Sequence, residues 1–262
     1  MPKHRLTVVA GVSGSGKTTL VLESLVPALT AKIADERMPE HVRALDAPGI
    51  ERVTMIDATP IGANVRSTVA TYSGVLDDLR RLFARTEAAK ARGLTAGAFS
   101  YNTGSLRCPT CGGTGQITLD VQFLPDVDID CPDCHGTRYS DEAGEITWEP
   151  KGGHAPVSLP DLLAMTADEA RKVFAGTSQR RLRAKLDTLH ELGIGYMTLG
   201  ESTPALSGGE AQRLKLASEM GRAQEGTLFV FDEPTIGLHP LDVRTLIGVF
   251  QKLIDQGASV LV

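Results

Sequence analysis

Short apolar runs alternate with longer amphipathic stretches along this chain. Four runs rich in β-branched or aromatic residues indicate buried strands, at residues 6–10, 53–56, 227–231 and 259–262. Three stretches repeat apolar positions every three or four residues, which predicts helices over residues 20–29, 75–92 and 243–254. Strands and helices that alternate in this way favour an α/β fold.

Residues 97–147 interrupt this alternation, because they are rich in glycine, contain all four cysteines and show little helical periodicity. We expect a small inserted module here. Helices resume after it, and capping boxes at residues 166–169 and 207–210 begin two of them. A further helix ends at Gly193.

The composition excludes several classes of protein. Of 262 residues, 42% are hydrophobic and 23% are charged, which is the ordinary balance of a globular protein with one large domain or two small ones. No run approaches the roughly 18 apolar residues of a membrane span, and the first residues do not form a signal peptide. We therefore expect a cytoplasmic protein without a membrane segment. With a net charge of −5, any nucleic-acid surface must be a local patch.

The strongest chemical signal is a P-loop, Gly11-x-x-x-x-Gly16-Lys17-Thr18. Its glycines let backbone N–H groups surround phosphates, Lys17 reaches the β- and γ-phosphates, and the Thr18 hydroxyl binds Mg²⁺. The motif needs a strand before it and a helix after it, and the pattern predicts both. We expect ATP and Mg²⁺ as cofactors, with the nucleotide held by Gly11, Ser13, Gly14, Ser15, Gly16, Lys17, Thr18 and Thr19.

A second signal is the acid pair Asp232 and Glu233, which directly follows the predicted strand at residues 227–231. A carboxylate at the end of a buried strand suits a magnesium ion held through water. The adjacent Glu233 can polarise the attacking water as general base. Acid pairs after strands are common, but together with the P-loop they predict Lys17, Asp232 and Glu233 as catalytic residues, with Asp232 also a cofactor ligand.

A third signal is Leu-Ser-Gly-Gly-Glu-Ala-Gln-Arg at residues 206–213, which predicts a helix N-terminus with a capping serine. Free N–H groups at such a terminus suit an approaching phosphate. The string resembles the signature motif of ATP-binding cassette (ABC) ATPases, whose order of motifs this chain follows. The resemblance implies that Ser207, Gly208 and Gly209 close over ATP held by another cassette. A second cassette half, or a head-to-tail copy, is then the partner.

The four cysteines form two Cys-x-x-Cys pairs, Cys108 with Cys111 and Cys131 with Cys134, and 19 residues separate the pairs. In a chain without a secretion signal, this spacing indicates a tetrahedral zinc site rather than disulfides. His135 is an alternative ligand, although four thiolates already fill the tetrahedron. The first pair also resembles the zinc repeats of DnaJ-type chaperones, which need more repeats and do not explain the P-loop.

A zinc module between a P-loop and a signature resembles the UvrA family, the damage-recognition ATPases of bacterial nucleotide excision repair. Further strings agree, including Phe-Ser-Tyr-Asn at residues 99–102 and Asp-Glu-Pro-Thr-Ile-Gly-Leu-His at residues 232–239. Only about 90 residues separate Lys17 from Cys108. This short spacing resembles that of the family's C-terminal half more than that of its N-terminal half. The other half of the family carries the docking site for UvrB.

The resemblance implies a domain organisation. An ATP-binding core formed by residues 1–66 and 223–262 would be split by an inserted helical signature domain at residues 67–222. The zinc module lies within this insertion, at about residues 97–147.

The chain departs from the family at Ala58, where the family carries a glutamine that senses magnesium and the attacking water. It also stops at Val262, before the family's switch histidine, and lacks the antiparallel strands that precede the P-loop strand. The resemblance therefore implies a segment trimmed at both ends, which is a weak or inactive ATPase when isolated.

Two basic groups are candidates for DNA contacts, since positive patches bind phosphates without reading sequence. The first is Arg171, Lys172, Arg180, Arg181, Arg183 and Lys185, with no acid among residues 171–185. The second is Arg80, Arg81, Arg85, Lys90 and Arg92, interspersed with acids. Charge alone fits a solvated helix face at least as well. Trp148 could stack on a base, but a lone tryptophan is more often part of the core.

Together these signals predict a P-loop ABC-type ATPase of the UvrA kind that recognises damaged DNA. One alternative is a related resistance ATPase that clears or tolerates a DNA-bound drug. Another is a non-catalytic segment that only binds ATP and zinc. Membrane transport is disfavoured, because the zinc insertion is foreign to transporter cassettes.

Overall fold

The structure, a computed structural model, describes residues 2–62, 64–119, 127–150, 155–235 and 240–262. Its strands are β1 (Leu6–Thr7), β2 (Arg52–Ile56), β3 (Gln116–Leu119), β4 (Val127–Asp130), β5 (Thr147–Trp148), β6 (Val157–Ser158), β7 (Thr227–Phe231) and β8 (Ser259–Leu261). Its α-helices are α1 (Val26–Ile33), α2 (Val69–Tyr72), α3 (Val75–Phe83), α4 (Glu87–Ala91), α5 (Asp141–Gly144), α6 (Leu159–Ala164), α7 (Ala167–Val173), α8 (Arg180–Glu191), α9 (Gly208–Met220) and α10 (Pro240–Asp255). A π-helix (Thr19–Leu25) precedes α1, and a 3₁₀ turn (Thr203–Ala205) precedes α9.

The chain divides into two compact units. The first unit, Met1–Thr59 with Glu219–Val262, contains a parallel sheet of strand order β1-β8-β7-β2. This sheet confirms the predicted α/β fold. The second unit is Pro60–Ser218 and contains the α2–α8 helices and both short antiparallel sheets. The domain boundaries expected near residues 66 and 222 stay predictions.

Successive side chains of β7 point to opposite faces of the sheet, and a helix packs on each face. Leu228 and Val230 pack with Leu29 of α1 on one face. On the other face, the ring of Phe231 lies 4.6 Å from that of Phe250 in α10. Because β7 is buried on both faces, it carries apolar side chains at nearly every position.

Two predicted elements differ from those observed. The first strand ends earlier than residue 10, although the Val9 N–H still donates to the Val262 carbonyl at 2.7 Å. The helix predicted over residues 75–92 is two helices, α3 and α4. Thr86 separates them, since its hydroxyl donates to the Phe83 carbonyl and accepts from the Ala89 N–H, which begins a new helix.

The second unit is built mainly from helices, with α7 and α3 both packed against α8. Leucines at helical spacing supply its core, among them the fully buried Leu79, Leu186 and Leu189. Trp148 is half-buried and stacks on the buried Phe174 with 4.9 Å between ring centroids, so it packs against the core. Within the described part of the chain, no helix is long and apolar enough to cross a membrane.

Candidate nucleotide and metal sites

The P-loop lies between β1 and the π-helix, as its motif requires. Gly14 and Gly16 have φ angles of +78° and +86°, a conformation that glycine adopts without steric cost. A Cβ at Gly11 would lie 2.6 Å from the Ser15 hydroxyl oxygen. The positive φ angles therefore favour glycine at residues 14 and 16, and the polar side chains of the loop are exposed at Ser13, Ser15, Thr18 and Thr19.

The side chain of Lys17 folds back over this loop. Its Nζ donates hydrogen bonds to the carbonyl oxygens of Gly11 at 2.8 Å and Val12 at 3.0 Å. These neutral acceptors hold the ammonium at the loop that would surround phosphates. A phosphate is a stronger acceptor for an ammonium than a carbonyl is, so an anion in the loop can take over these bonds.

The structure brings the P-loop and the acid pair together within the first unit. Lys17, Thr18, Asp232 and Glu233 line one small cleft of about 70 Å³ at the carboxyl edge of the sheet. Glu233 has a φ of +44°, which is strained for a residue with a side chain. Strain of this kind is typical of side chains held in place at functional sites.

Ala58 follows β2 at the same edge of the sheet. Ile56 pairs with Phe231 across the sheet, and the Asp232 N–H donates to the Ile56 carbonyl at 3.3 Å. The chain then turns, with the Thr59 hydroxyl donating to the Asp57 carboxylate at 2.6 Å. Ala58 is exposed and has no polar side-chain group to offer at this edge.

The predicted capping box at the signature is confirmed. The Ser207 N–H and hydroxyl both donate to Oε2 of Glu210 at 2.7 Å, and the Glu210 N–H donates back to the hydroxyl at 3.4 Å. Ser207 and Gly208 are exposed, and a Cβ on Gly209 would meet no atom of the described residues within 4 Å. The signature residues thus present an open surface, and they belong to the second unit, whereas Lys17 belongs to the first.

Tyr196 is a signature contact that sequence analysis missed. Its hydroxyl donates to the other oxygen of Glu210 at 2.6 Å. Partial desolvation and this carboxylate raise the pKa of Tyr196 to about 12. Burial alone would raise the pKa of Glu210, but the hydrogen bonds from Tyr196 and Ser207 hold it below its usual value. No local pattern links Tyr196 to the signature, because the contact depends on how the loop before α9 folds.

The four cysteine sulfurs lie within 4.8 Å of one another, as the spacing of the two pairs predicts. Cys108 and Cys131 are 3.8 Å apart, and Cys111 and Cys134 are 3.7 Å apart. With Zn–S bonds of about 2.3 Å, a regular tetrahedron has S···S edges of about 3.8 Å. The sulfurs therefore fit one zinc ion.

Glycines that follow Cys111 complete this fit. The Gly115 N–H points at the Cys111 sulfur at 3.3 Å. Burial would raise the pKa of Cys111, but N–H groups of Gly115 and Gly113 lower it to about 7, which favours the thiolate that binds metal. Gly113 has a φ of +84°, and a Cβ there would collide with the Tyr101 carbonyl oxygen. His135 lines a neighbouring cleft of about 540 Å³ and is not part of the cysteine cluster.

Cys131→Ser is expected to abolish zinc binding and to destabilise the module at residues 97–147. A hydroxyl is a far weaker zinc ligand than a thiolate, and Cys131 is fully buried. Elemental analysis should find about one zinc per wild-type chain and much less in the variant. Affinity for ATP should change little, because the P-loop lies in the other unit.

His135→Asn is the matched control for the zinc experiment, since asparagine also tolerates the positive φ of 49° at this position. It should keep its zinc. Equal loss of zinc and of ATP binding in Cys131→Ser would contradict the separation of the two sites.

The two basic groups meet in space, which sequence analysis did not anticipate. Because α3 packs on α8, both groups line one cleft of about 270 Å³, and its arginines are Arg81, Arg85, Arg180 and Arg181. Asp78 is the acid in this lining, and it pairs with Arg81 at 3.1 Å and with Lys185 at 2.7 Å. We call this surface the arginine cleft.

The arginine cleft is short of negative charge. Among the described residues, Arg85, Arg180 and Arg181 make no ion pair. Some other members of the two groups have ion-pair partners: Arg171 pairs with Asp187 at 2.6 Å, and Lys185 pairs with Asp78. The candidate DNA-contacting charges are therefore fewer and closer together than the sequence suggests.

Comparison with known proteins gives strong matches over the whole chain. It is 45% identical to the UvrABC system protein A of Bacillus subtilis (strain 168) over 264 residues, and 45% identical to that of Synechocystis sp. over 267 residues. The crystal structure of UvrA2 from Deinococcus radiodurans superposes with a TM-score of 0.85 at 46% identity, covering all of this chain and 31% of that one. No protein-family model matches.

The match is to part of each relative. All of this chain aligns, but the aligned region makes up 27% of the Bacillus protein and 26% of the Synechocystis protein. The chain thus spans about a quarter of the length of these curated relatives. Full-length identity near 45%, together with the shared fold, shows that the chain belongs to the UvrA family, of which it represents a segment.

Proposed function

We propose that this chain is a nucleotide-binding cassette of an ATPase that recognises damaged DNA in nucleotide excision repair. The observation that carries the proposal is the cleft at the sheet edge, where Lys17 and Thr18 face Asp232 and Glu233 in a UvrA-family chain. A lysine, a hydroxyl and two carboxylates are the set that phosphoryl transfer needs.

ATP is the expected ligand of the P-loop. The loop N–H groups and Lys17 would hold the phosphates, and the hydroxyl of Thr18 with the carboxylate of Asp232 would hold Mg²⁺. When bound, Mg²⁺ would neutralise part of the negative charge of the phosphates. Glu233 lines the cleft, where it is placed to accept a proton from the attacking water.

The signature serves a second ATP in this proposal. Ser207 and Gly208 are exposed, so a phosphate held by another cassette can approach them. The hydroxyl of Ser207 now donates to Glu210, and it must turn away to donate to that phosphate. When Glu210 loses the hydrogen bond from the Ser207 hydroxyl, it still accepts one from Tyr196. The carboxylate is therefore not left without a donor, which limits the free-energy cost of the change. The partner is a second cassette half or a copy of this chain.

The arginine cleft is the surface that we assign to DNA. Three arginines that make no ion pair with any described residue converge there in a chain of net charge −5, so the positive charge is local. Arginine forms charge-assisted, often bidentate hydrogen bonds with phosphate. Contacts to phosphates carry no sequence information, which suits a protein that must examine any sequence.

Arg181→Ala and Arg85→Ala are expected to weaken binding of a short DNA duplex by about three- to tenfold each. Each lost phosphate contact should also reduce the salt slope of the affinity by about one. The measurement is a fluorescence anisotropy titration at several salt concentrations, with damaged and undamaged duplexes.

Arg37→Ala is the matched control, because it removes the same charge from an exposed arginine that pairs with Glu40 outside the arginine cleft. It should leave binding unchanged. An equal loss in Arg37→Ala would contradict the assignment of the cleft. Equal affinity for damaged and undamaged duplexes would contradict damage recognition.

A further inference from the structure

Arg138 is a buried cation beside the cysteine cluster. It follows Cys134 by four residues and is only 7% exposed. Its φ of +73° is unfavourable for a residue with a side chain. A buried charge and a strained backbone at one position both cost free energy, so a compensating interaction is required.

The hydrogen bonds of Arg138 do not supply that compensation. One guanidinium nitrogen donates to the Val65 carbonyl at 3.1 Å, and the guanidinium lies 5.3 Å above the Tyr101 ring. Among the described residues, no carboxylate forms a salt bridge with Arg138. Burial lowers the pKa of Arg138, and the nearby groups that oppose this effect are Tyr101, Cys111 and Cys134.

Arg66 approaches the cluster from the other knuckle. Its guanidinium donates to the Gly112 carbonyl at 2.7 Å, directly after Cys111. It is half-buried, and it also lacks a salt bridge among the residues that the structure describes. The two hydrogen bonds join the same two segments in opposite directions. Arg138 of the zinc module donates to the Val65 carbonyl, and Arg66, the residue after Val65, donates to the Gly112 carbonyl of the zinc module.

The negative charge of the cysteine cluster with zinc bound explains why two arginines lie beside it. Four thiolates around one Zn²⁺ leave a net charge of about −2, and the ion's own charge must be included in the local electrostatics. Two guanidinium groups balance it. We propose that Arg138 and Arg66 are the counter-ions of the zinc–tetrathiolate centre and thereby fasten the segment at residues 65–69 to the zinc module. This inference rests on the proposed zinc site.

The fastened segment leads to the signature through hydrogen bonds within the second unit. The Val69 N–H donates to the Glu201 carbonyl at 3.0 Å, and the Thr203 N–H donates to the Ser67 carbonyl at 2.8 Å. Thr203 begins the 3₁₀ turn that precedes Ser207. The zinc centre is thus joined to the loop before the signature by a continuous set of contacts. Loss of zinc would remove the counter-charge of both arginines and loosen residues 65–69.

The test measures zinc affinity by competition with a chromophoric chelator. Arg138→Met keeps much of the apolar volume but removes the charge, and it should weaken zinc binding by about 10- to 100-fold, the loss typical of groups that surround and support a metal's ligands. Arg66→Met should weaken it less, because Arg66 is more exposed. Arg138→Lys restores the charge and should recover part of the affinity. Hydrogen exchange at residues 65–69 should rise in both methionine variants.

Arg107→Met is the matched control, since Arg107 is an exposed arginine of the same module whose side chain donates only to the Asn102 carbonyl among the described residues. It should bind zinc like the wild type. Co²⁺ substitution checks that each variant still forms a tetrahedral thiolate site. Wild-type affinity in Arg138→Met, no recovery in Arg138→Lys, or an equal loss in Arg107→Met would overturn the counter-ion proposal. Absence of zinc from the wild type would instead overturn the zinc site itself.

Discussion

The isolated chain at high dilution is expected to hydrolyse ATP far more slowly than about 1 s⁻¹, a modest rate for an enzyme. One chain contains a P-loop in its first unit and a signature in its second, and in the proposed mechanism these serve two different ATP molecules. Ala58 also offers no polar group at the sheet edge, at a position where the resemblance to the family implies a glutamine. Loss of a positioned polar group commonly costs about 10²-fold or more in rate.

Supplying a second signature should raise this rate by about 100-fold. A suitable donor is an excess of the Lys17→Ala variant, which keeps Ser207 and the rest of the signature. Ser207→Arg in that donor should abolish the gain, because the bulky side chain occupies the surface that a phosphate would approach. Ser105→Arg, at an exposed serine elsewhere in the second unit, should leave the gain intact. Fast hydrolysis by the dilute chain alone would contradict the sharing of sites.

Glu233→Gln is expected to reduce the assembled rate by about 10² to 10⁴-fold while leaving ATP affinity nearly unchanged. Glutamine has the same shape as glutamate but cannot accept a proton from water, so only general base catalysis is lost. Steady-state hydrolysis and equilibrium ATP binding, measured on the same preparation, separate the two effects.

Glu225→Gln makes the same chemical change at an exposed glutamate of the same unit. It should keep the full rate. A Glu233→Gln variant that retains wild-type turnover would show that another group activates the water, whereas parallel loss of binding and rate would point to a structural role.

Local patterns in the sequence were sufficient to predict the strands of the sheet and the functional motifs. The strand at Thr227–Phe231 is apolar at almost every position because both its faces are covered, and such a run is recognisable without a structure. The cysteine pairs and the capping box at Ser207 are likewise short-range patterns whose geometry follows from their spacing. The break in the helix at Thr86 had a local signal as well, a capping threonine, but helical periodicity on both sides hid it.

Long-range contacts could not be predicted from these patterns. Arg85 and Arg181 lie almost a hundred residues apart, and they share a cleft only because α3 packs on α8. Tyr196 reaches Glu210, and Arg138 reaches Val65, through the tertiary fold alone. A sequence shows which residues can carry charge, but packing decides which charges are neutralised and which remain available for a ligand.

Calorimetric titration of Mg-ATP into the wild-type chain and Lys17→Ala measures ATP binding at the P-loop itself. We expect one ATP per wild-type chain and affinity at least about tenfold weaker in Lys17→Ala, because the variant loses a charge-assisted hydrogen bond to the phosphates. Lys32→Ala, which removes a lysine of the same unit that donates to the Leu45 carbonyl, should bind like the wild type. Equal ATP affinity in Lys17→Ala and the wild type would contradict the P-loop site.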